Sequence, residues 1–495
     1  MTTPDGGGLR ARTVQAFMLL GAQRAVGLLV TVAGGIVLAR LLMPEVFGVY
    51  AIILFAVGLG ITFGDLGLSA TLTQRRDLDL DTNLRVAFTV HVWLTVGLGA
   101  TLAIAAPAIV HLLGLSPDAA TPLRCLALLV PLSALKMPTT VLLERKLNFL
   151  PITIAETLDT VMFYVIAVAA ALASLGVWSL VLGAVTARLA GLTVLYLSAR
   201  WRPSFRWQRT HLSFLLRLGI PFQGAAILTF SRDAVVPTLV AAWSGVAAVG
   251  FINLAVALAS LPLQVVYIAG KVLFPALAQI QNDPRGFAEA TGRALNRIAV
   301  ILLPVALLLL TGADPIVRLI FGDPWVEAVP ALRLFCLSTI FGGTSTVLVY
   351  ALNSLGRSDI VLRLNLFWTA LLWCLTPILV PWLGFVGYAL ANVCQSMTGV
   401  LALLALRRLV PIRVLPHVRV PLAAGLGIAL AFASLEQLWI DDLLSLIAAG
   451  SAAVALYIGL IALMGGAKWR TEFVDDWRRV VGSRECVVNR HAAPC

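Results

Sequence analysis

Residues 176–209 read GVWSLVLGAVTARLAGLTVLYLSARWRPSFRWQR. From 176 to 199 the run is apolar and broken by one cation, Arg188. At about 1.5 Å per residue a helix of that length crosses the roughly 30 Å hydrocarbon core of a bilayer. The run does not alternate with period two and is too long for a barrel strand, so it reads as a helix. It begins at a tiny turn, 174–176, and ends in Arg200, Arg202, Arg206 and Arg209, interleaved with Trp201, Phe205 and Trp207. Basic residues stay on the cytoplasmic side, so this one stretch fixes both a span and its direction.

The rest of the chain repeats the pattern. It has 495 residues, 60% hydrophobic and 12% charged, with mean hydropathy +0.95. A soluble protein of this size would carry far more polar surface. About fourteen spans are predicted, at 14–39, 47–70, 84–113, 119–141, 152–174, 176–199, 212–240, 247–276, 293–313, 327–352, 360–382, 384–407, 419–439 and 443–464. With the N-terminus inside, Arg40, Arg124, Arg318 and Arg333 fall at outer ends, and Arg24, Arg188 and Arg232 fall mid-span. All the other Lys and Arg, of 36 in total, fall in inner segments. Both termini are therefore expected in the cytoplasm. The net charge of +12 is accounted for by anionic lipid headgroups, without nucleic acid. The first apolar run is too long for a cleaved signal peptide and is interrupted by Gln23 and Arg24. Six Cys give no disulfide framework, and five scattered His give no metal site. No cofactor is expected.

The chain also resembles itself at an offset of a little over 200 residues. Phe47-Gly48-Val49-Tyr50-Ala51 recurs as Val249-Gly250-Phe251-Ile252-Asn253, Pro122-Leu123-Arg124 as Ala331-Leu332-Arg333, and Leu175-Gly176-Val177-Trp178 as Leu383-Gly384-Phe385-Val386. Six spans make one unit, an even number, so both copies enter the membrane in parallel. The expected fold is an all-α polytopic membrane protein, with two six-helix repeats as a V-shaped pair of bundles and two extra C-terminal helices. The expected divisions are 1–13 (cytoplasmic N-terminus), 14–205 and 206–410 (the bundles), 411–464 (two further helices) and 465–495 (a basic cytoplasmic tail). A cleft between two such bundles opens to either side by rocking.

Leu38-Ala39-Arg40-Leu41-Leu42-Met43-Pro44-Glu45-Val46-Phe47-Gly48-Val49-Tyr50 resembles the first-loop signature of Wzx-type polysaccharide flippases. So do Asp65-Leu66-Gly67-Leu68, Glu144-Arg145-Lys146-Leu147-Asn148-Phe149, Gly270-Lys271-Val272-Leu273-Phe274-Pro275 and Trp325-Val326-Glu327-Ala328-Val329-Pro330. The resemblance spans about 13–410. It implies a member of the multidrug/oligosaccharidyl-lipid/polysaccharide exporter superfamily in the cytoplasmic (inner) membrane. Such proteins move polyprenyl-diphosphate-linked oligosaccharides to the outer leaflet for O-antigen, lipopolysaccharide, capsule or exopolysaccharide. The implied partners are that substrate, membrane lipids, and a polysaccharide polymerase and chain-length regulator.

The physical problem of flipping is an anionic headgroup crossing apolar lipid. Arg suits a diphosphate because its planar fork bonds two oxygens at once. An Arg at the bilayer centre costs about 3 kcal/mol on insertion scales, which argues that it faces protein or water. Arg24 and Arg232 lie in equivalent spans and, with Arg188, are the expected diphosphate-binding residues. The competing reading is a salt bridge to Asp65, Glu156 or Asp233. Glu156 and Asp159 share a face of span five, as a coupling site, a counter-charge to Arg188, or an interfacial pair. Asp65 and Asp233 are further counter-charge or coupling residues. Adjacent on a helix, Arg232 and Asp233 are expected to need different partners. Prolines such as Pro107, Pro237, Pro262 and Pro304 bend their spans, as hinges or as static kinks.

No outer loop is long enough for a polymerase or glycosyltransferase domain, and Gly270-Lys271 lacks the rest of a phosphate loop. The chain is expected to be a transporter and not an enzyme. A drug or cation antiporter of the same superfamily is the alternative, and it would favour an acidic cleft.

Overall fold

The computed structural model describes residues 26–74 and 79–464, where every regular element is a helix. Arg24, most of the N-terminal segment, Arg75 and Arg76, and the 465–495 tail lie outside the described residues. In chain order the α-helices are α1 (Val26–Leu41), α2 (Pro44–Asp65), α3 (Leu68–Gln74), α4 (Leu80–Ile104), α5 (Ala106–Leu112), α6 (Ala120–Leu126), α7 (Leu129–Arg145), α8 (Leu150–Leu172), α9 (Val177–Ala199), α10 (Arg209–Asp233), α11 (Ala241–Ser244), α12 (Val246–Ala259), α13 (Leu263–Gln279), α14 (Pro284–Thr311), α15 (Ala313–Ile316), α16 (Val329–Ser354), α17 (Ser358–Leu383), α18 (Phe385–Met397), α19 (Val400–Arg407), α20 (Leu415–Trp439) and α21 (Leu443–Met464). Among the described residues twelve segments are long and apolar enough to cross a bilayer, and α12 with α13 forms a bent pair, broken by 53°. With no water in hydrocarbon, each segment satisfies its own backbone.

Proline places the breaks. Pro262 stands at the α12–α13 bend, and Pro107 opens α5 just after α4 ends. Pro237 lies in a π-helical turn, Val236–Val240, so the expected span 212–240 is a helix to Asp233 followed by a widened turn. Pro304 is absorbed inside the unbroken α14. Where the chain starts a helix in water the signal is ordinary: Asp283 accepts from the amides of Arg285 and Gly286, at 3.2 and 3.1 Å, ahead of Pro284. Asp442 does the same for α21 through the Ser445 amide at 2.7 Å, and these bonds hold its carboxyl below the usual carboxylate range.

The helices form two compact units. The first runs to Leu254 and takes in Phe321–Glu327 and Thr369–Ala391. Its core gathers Ile52, Ile53 and Val57 of α2, Leu123 and Leu126 of α6, Val130 of α7 and Val181 of α9. Close approach depends on glycine. A Cβ on Gly48 would lie 2.0 Å from the Val246 carbonyl oxygen, and one on Gly250 would lie 2.1 Å from that of Pro44. Pro44 is four residues before Gly48 and Val246 four before Gly250, so α2 and α12 cross through the same contact made twice. These are the glycines that the sequence repeat pairs. Small residues that let helix backbones touch are the usual membrane device. Beside this crossing Trp325, 1% exposed, puts its ring edge-on to Phe47 (5.2 Å) and Phe251 (6.3 Å), and its N–H donates to the Ala39 carbonyl at 2.8 Å.

The segment 200–208 follows α9. Trp201 and Phe205 pack on Phe88 of α4, with centroids 5.0 and 5.7 Å apart. The Arg206 amide donates to Thr89 Oγ1 at 2.8 Å and its guanidinium to Thr82 Oγ1 at 3.1 Å. Phe205 and Trp207 remain exposed, as interfacial anchors would be.

The second unit holds Ala255–Ile320, Ala328–Trp368 and Asn392 onward. α14 is its centre. Leu295, Ala299, Leu302 and Leu303 repeat at helical spacing and meet Val347, Leu348 and Leu352 of α16 and Ala402 and Leu406 of α19. α20 and α21 pack on α14 too, through Ile428, Phe432, Ala453 and Ile461, and Tyr457 donates to the Val300 carbonyl at 2.9 Å. The two extra helices are thus built into this unit.

Candidate substrate and coupling site

α8 and α9 form a tight hairpin because two glycines on α9 remove side chains at the contact. A Cβ on Gly183 would sit 2.9 Å from the Phe163 carbonyl oxygen, and one on Gly191 2.8 Å from Asp159 Oδ1. This packing brings Arg188 of α9 to Asp159 of α8, Nη1 to Oδ2 at 3.5 Å, with side chains 32% and 24% exposed. Lys136 of α7 closes the same narrow recess. Asp159 Oδ1 is buried without a hydrogen-bond partner.

Arg188 and Lys136 also face a cavity of about 500 Å³ inside the first unit. α2 gives it Asp65; α3 gives Ser69, Thr73 and Gln74; α4 gives His91; α7 gives Ser133, Lys136, Thr140 and Glu144. Asp65 accepts from the Ser69 hydroxyl and amide, and Thr73 Oγ1 donates to Glu144 Oε2 at 3.1 Å. Two cations, two carboxylates, an imidazole and several hydroxyls therefore share one hollow. Polar groups in apolar surroundings are costly unless they are paired or solvated, so such a cluster marks function or a deliberate internal brace.

Of the expected site residues, the structure brings Arg188, Asp159 and Asp65 to this one place. Glu156, one turn from Asp159, is exposed and lines neither recess nor cavity. Arg232 and Asp233 lie elsewhere, at the end of α10, and pair with each other, Nε to Oδ1 at 3.5 Å, half-exposed. This corrects the expectation that they need separate partners. α10 ends at Asp233, and the long Arg232 side chain folds along the axis to reach its neighbour just before the widened turn Val236–Val240. The carbonyl of Ser231 there accepts from Trp373 Nε1 at 3.0 Å. Arg24 lies outside the described residues.

Lys136, Glu144 and His91 were not read from sequence as site residues. Lys136 looks like an inner-end cation, and His91 like ordinary packing. The missed signal is on α7, where Ser133, Lys136, Thr140 and Glu144 recur at three- and four-residue spacing and make a polar stripe on a transmembrane helix.

Breaking the half-buried pair should cost more than an exposed ion pair and less than a fully buried one. Arg188→Ala or Asp159→Ala alone is expected to lower stability by roughly 1–3 kcal/mol, and the double change by less than the sum. Thermal unfolding of the three variants in detergent measures this, and strict additivity would show that the pair is not coupled.

The family description "Polysaccharide biosynthesis protein" matches residues 37–330. The chain belongs to the polysaccharide biosynthesis protein family. It is 30% identical over 338 residues to the succinoglycan biosynthesis transport protein ExoT of Rhizobium meliloti, covering 68% of this chain and 67% of that one. It is 26% identical over 345 residues to the lipopolysaccharide biosynthesis protein WzxC of Escherichia coli, covering 68% of each. The fold is that of the lipid II flippase MurJ in an inward closed conformation, with TM-score 0.74 and 15% identity, over 91% of this chain and 98% of that one. An inward-facing multidrug resistance transporter of the MATE family superposes with TM-score 0.60 and 16% identity, over 80% of this chain and 98% of that one. The family signature covers α2 through the turn that holds Trp325, and so includes the glycine crossing and the whole polar cavity.

Proposed function

We propose that this chain is a non-catalytic flippase that carries polyprenyl-diphosphate-linked oligosaccharide from the inner to the outer leaflet of the cytoplasmic membrane by alternating access. Family membership supports this reading, as do relatives named for succinoglycan transport and lipopolysaccharide biosynthesis. The basic inner segments orient both termini toward the cytoplasm. A polymerase and a chain-length regulator act next on the delivered unit.

The chemistry divides between two groups of residues. Arg24 and Arg232 bind the diphosphate, whose charge is what makes spontaneous crossing slow. Arg232 is half-exposed and its contact to its neighbour is a long one, 3.5 Å, so an incoming phosphate can displace Asp233 at little cost. Asp65, Asp159 and Arg188 serve coupling inside the bundle. Arg232→Ala is expected to reduce export by ten-fold or more, and Arg232→Lys to recover part of it, because a lysine keeps the charge but not the bidentate fork. Complementation of a strain lacking the gene, scored by surface polysaccharide, measures both. Full export by an Arg24→Ala/Arg232→Ala double variant would remove these residues from the site. The function itself is tested by depleting the chain and finding which lipid-linked sugar accumulates on the cytoplasmic leaflet.

A further inference from the structure

α19 ends at Arg407 and α20 begins at Leu415, so residues 408–414 turn the chain between two membrane spans at the bilayer boundary. Packing holds this turn in place. Val410 and Ile412 are buried, 4% and 3% exposed. His417 lies over α14, where a Cβ on Gly292 would come within 2.3 Å of its Nε2, and its carbonyl accepts from Asn296 Nδ2 at 2.5 Å. The result is an open concavity of about 490 Å³, bordered by Arg407, Ile412, Arg413, Val414 and Leu415.

Its border carries one sign of charge. No carboxylate lines it, and among the described residues neither Arg407 nor Arg413 has an ion pair or a hydrogen bond from its side chain. The amides of Arg413, Val414 and Leu415 donate to no carbonyl among the described residues, and α20 has no side-chain cap. Arg407 alone is unremarked, because a cation at the C-terminus of α19 suits the helix dipole. Arg413 is different. It stands two residues before α20, where the dipole is positive and repels a cation. An anion in the concavity answers both guanidiniums and the free amides at once. The surroundings say which kind of anion. One and two turns into the bilayer from Arg407, Leu404 and Leu401 are exposed on α19, and Leu415 is 69% exposed at the rim. A free phosphate gains nothing from these apolar side chains, whereas the acyl chains of a phospholipid cover them.

We propose that the concavity at Arg407 and Arg413 is a binding site for the phosphate of an anionic phospholipid, whose chains lie along α19. Arg407 and Arg413 hold the phosphate oxygens, and the amides at the start of α20 complete the cradle. The lipid bridges the end of α19 and the start of α20 from outside the protein. Because α20 packs on both α14 and α21, occupancy stabilises the second unit and the two extra helices within it. The site is independent of what the protein transports.

The test is thermal unfolding of the full-length protein in detergent with phosphatidylglycerol, phosphatidylcholine or inorganic phosphate added. Phosphatidylglycerol is expected to raise the wild-type Tm by several degrees over phosphatidylcholine, and Arg407→Gln/Arg413→Gln to lose most of that gain. Arg200→Gln/Arg202→Gln removes the same charge from another boundary segment and should keep it. Equal loss in the two double variants would mean diffuse attraction to negative lipid and overturns the site. An equal gain from inorganic phosphate would mean an anion site indifferent to lipid, and overturns the choice of ligand. A second measurement needs no variant, so a misfolded substitution does not shield the claim. Phosphatidylglycerol with a photoreactive acyl chain should label 401–416 of the wild type more strongly than the other boundary segments, and even labelling of them all overturns it.

Discussion

Placing leucine at Gly48, or at Gly250, is expected to force α2 and α12 apart and to be among the most damaging single changes in the chain. The atom in the way is a backbone carbonyl, Val246 O or Pro44 O, only 2.0–2.1 Å from where the new Cβ would sit. A side chain can rotate away from such a clash, but a helical carbonyl cannot move without its helix. Overpacking usually costs about 1–3 kcal/mol, and a backbone clash belongs at or beyond the upper end. Even Gly48→Ala should be felt. The two changes relieve the same crossing, so their costs should fall short of additive when combined. Gly97→Leu is the control, since a Cβ there meets nothing within 4 Å. Thermal unfolding in detergent, with surface polysaccharide as the activity readout, checks all of these. A Gly48→Leu protein as stable as Gly97→Leu would mean that the helices do not cross there.

Trp325→Ala is the second large effect expected. The ring is buried, meets Phe47 and Phe251 edge-on, and its N–H is the donor to the Ala39 carbonyl in the last turn of α1. Removing a buried Trp costs about 3–5 kcal/mol through lost burial and the cavity left behind. Trp325→Phe separates the parts. It keeps most of the apolar contact and leaves the carbonyl without its donor, and so should cost about 1–2 kcal/mol. Because this residue ties together α1, α2 and α12, the Ala variant should also expose the neighbouring turns to protease sooner than wild type. Equal stability of the Ala and Phe variants would contradict the account, because it would leave the ring's burial without effect.

The fold was legible because hydrocarbon leaves few choices. A span such as 176–199 must be a helix, and it is, from Val177 to Ala199. The weak sequence matches pair Gly48 with Gly250, and the structure brings these two glycines into a reciprocal contact, each against the other helix's carbonyl. What sequence could not give was the size of each bend. Pro262 produces a 53° break, whereas Pro304 leaves α14 whole, because the outcome depends on which neighbouring groups take up the freed carbonyl.

The candidate site was half legible. Arg188 and Asp159 stood out as charges within spans, and they pair. Lys136 was hidden because a lysine near a helix end ordinarily snorkels to the interface. His91 was hidden because an isolated histidine carries no pattern; only the cavity and its two unpartnered nitrogens distinguish it. The pairing of Arg232 with Asp233 went against the expectation of separate partners, at the point where α10 gives way to a π-helical turn.

The central claim is movement of a sugar-bearing diphosphate lipid across the bilayer, and a single measurement reaches it. Purified protein is reconstituted into vesicles loaded with the lipid-linked oligosaccharide that accumulates on depletion, and an impermeant glycosidase or lectin is added outside. The account predicts that the protected inner-leaflet pool becomes accessible over time at a rate proportional to protein. A protected pool that stays as it is in protein-free vesicles, with the protein folded and inserted, would contradict it.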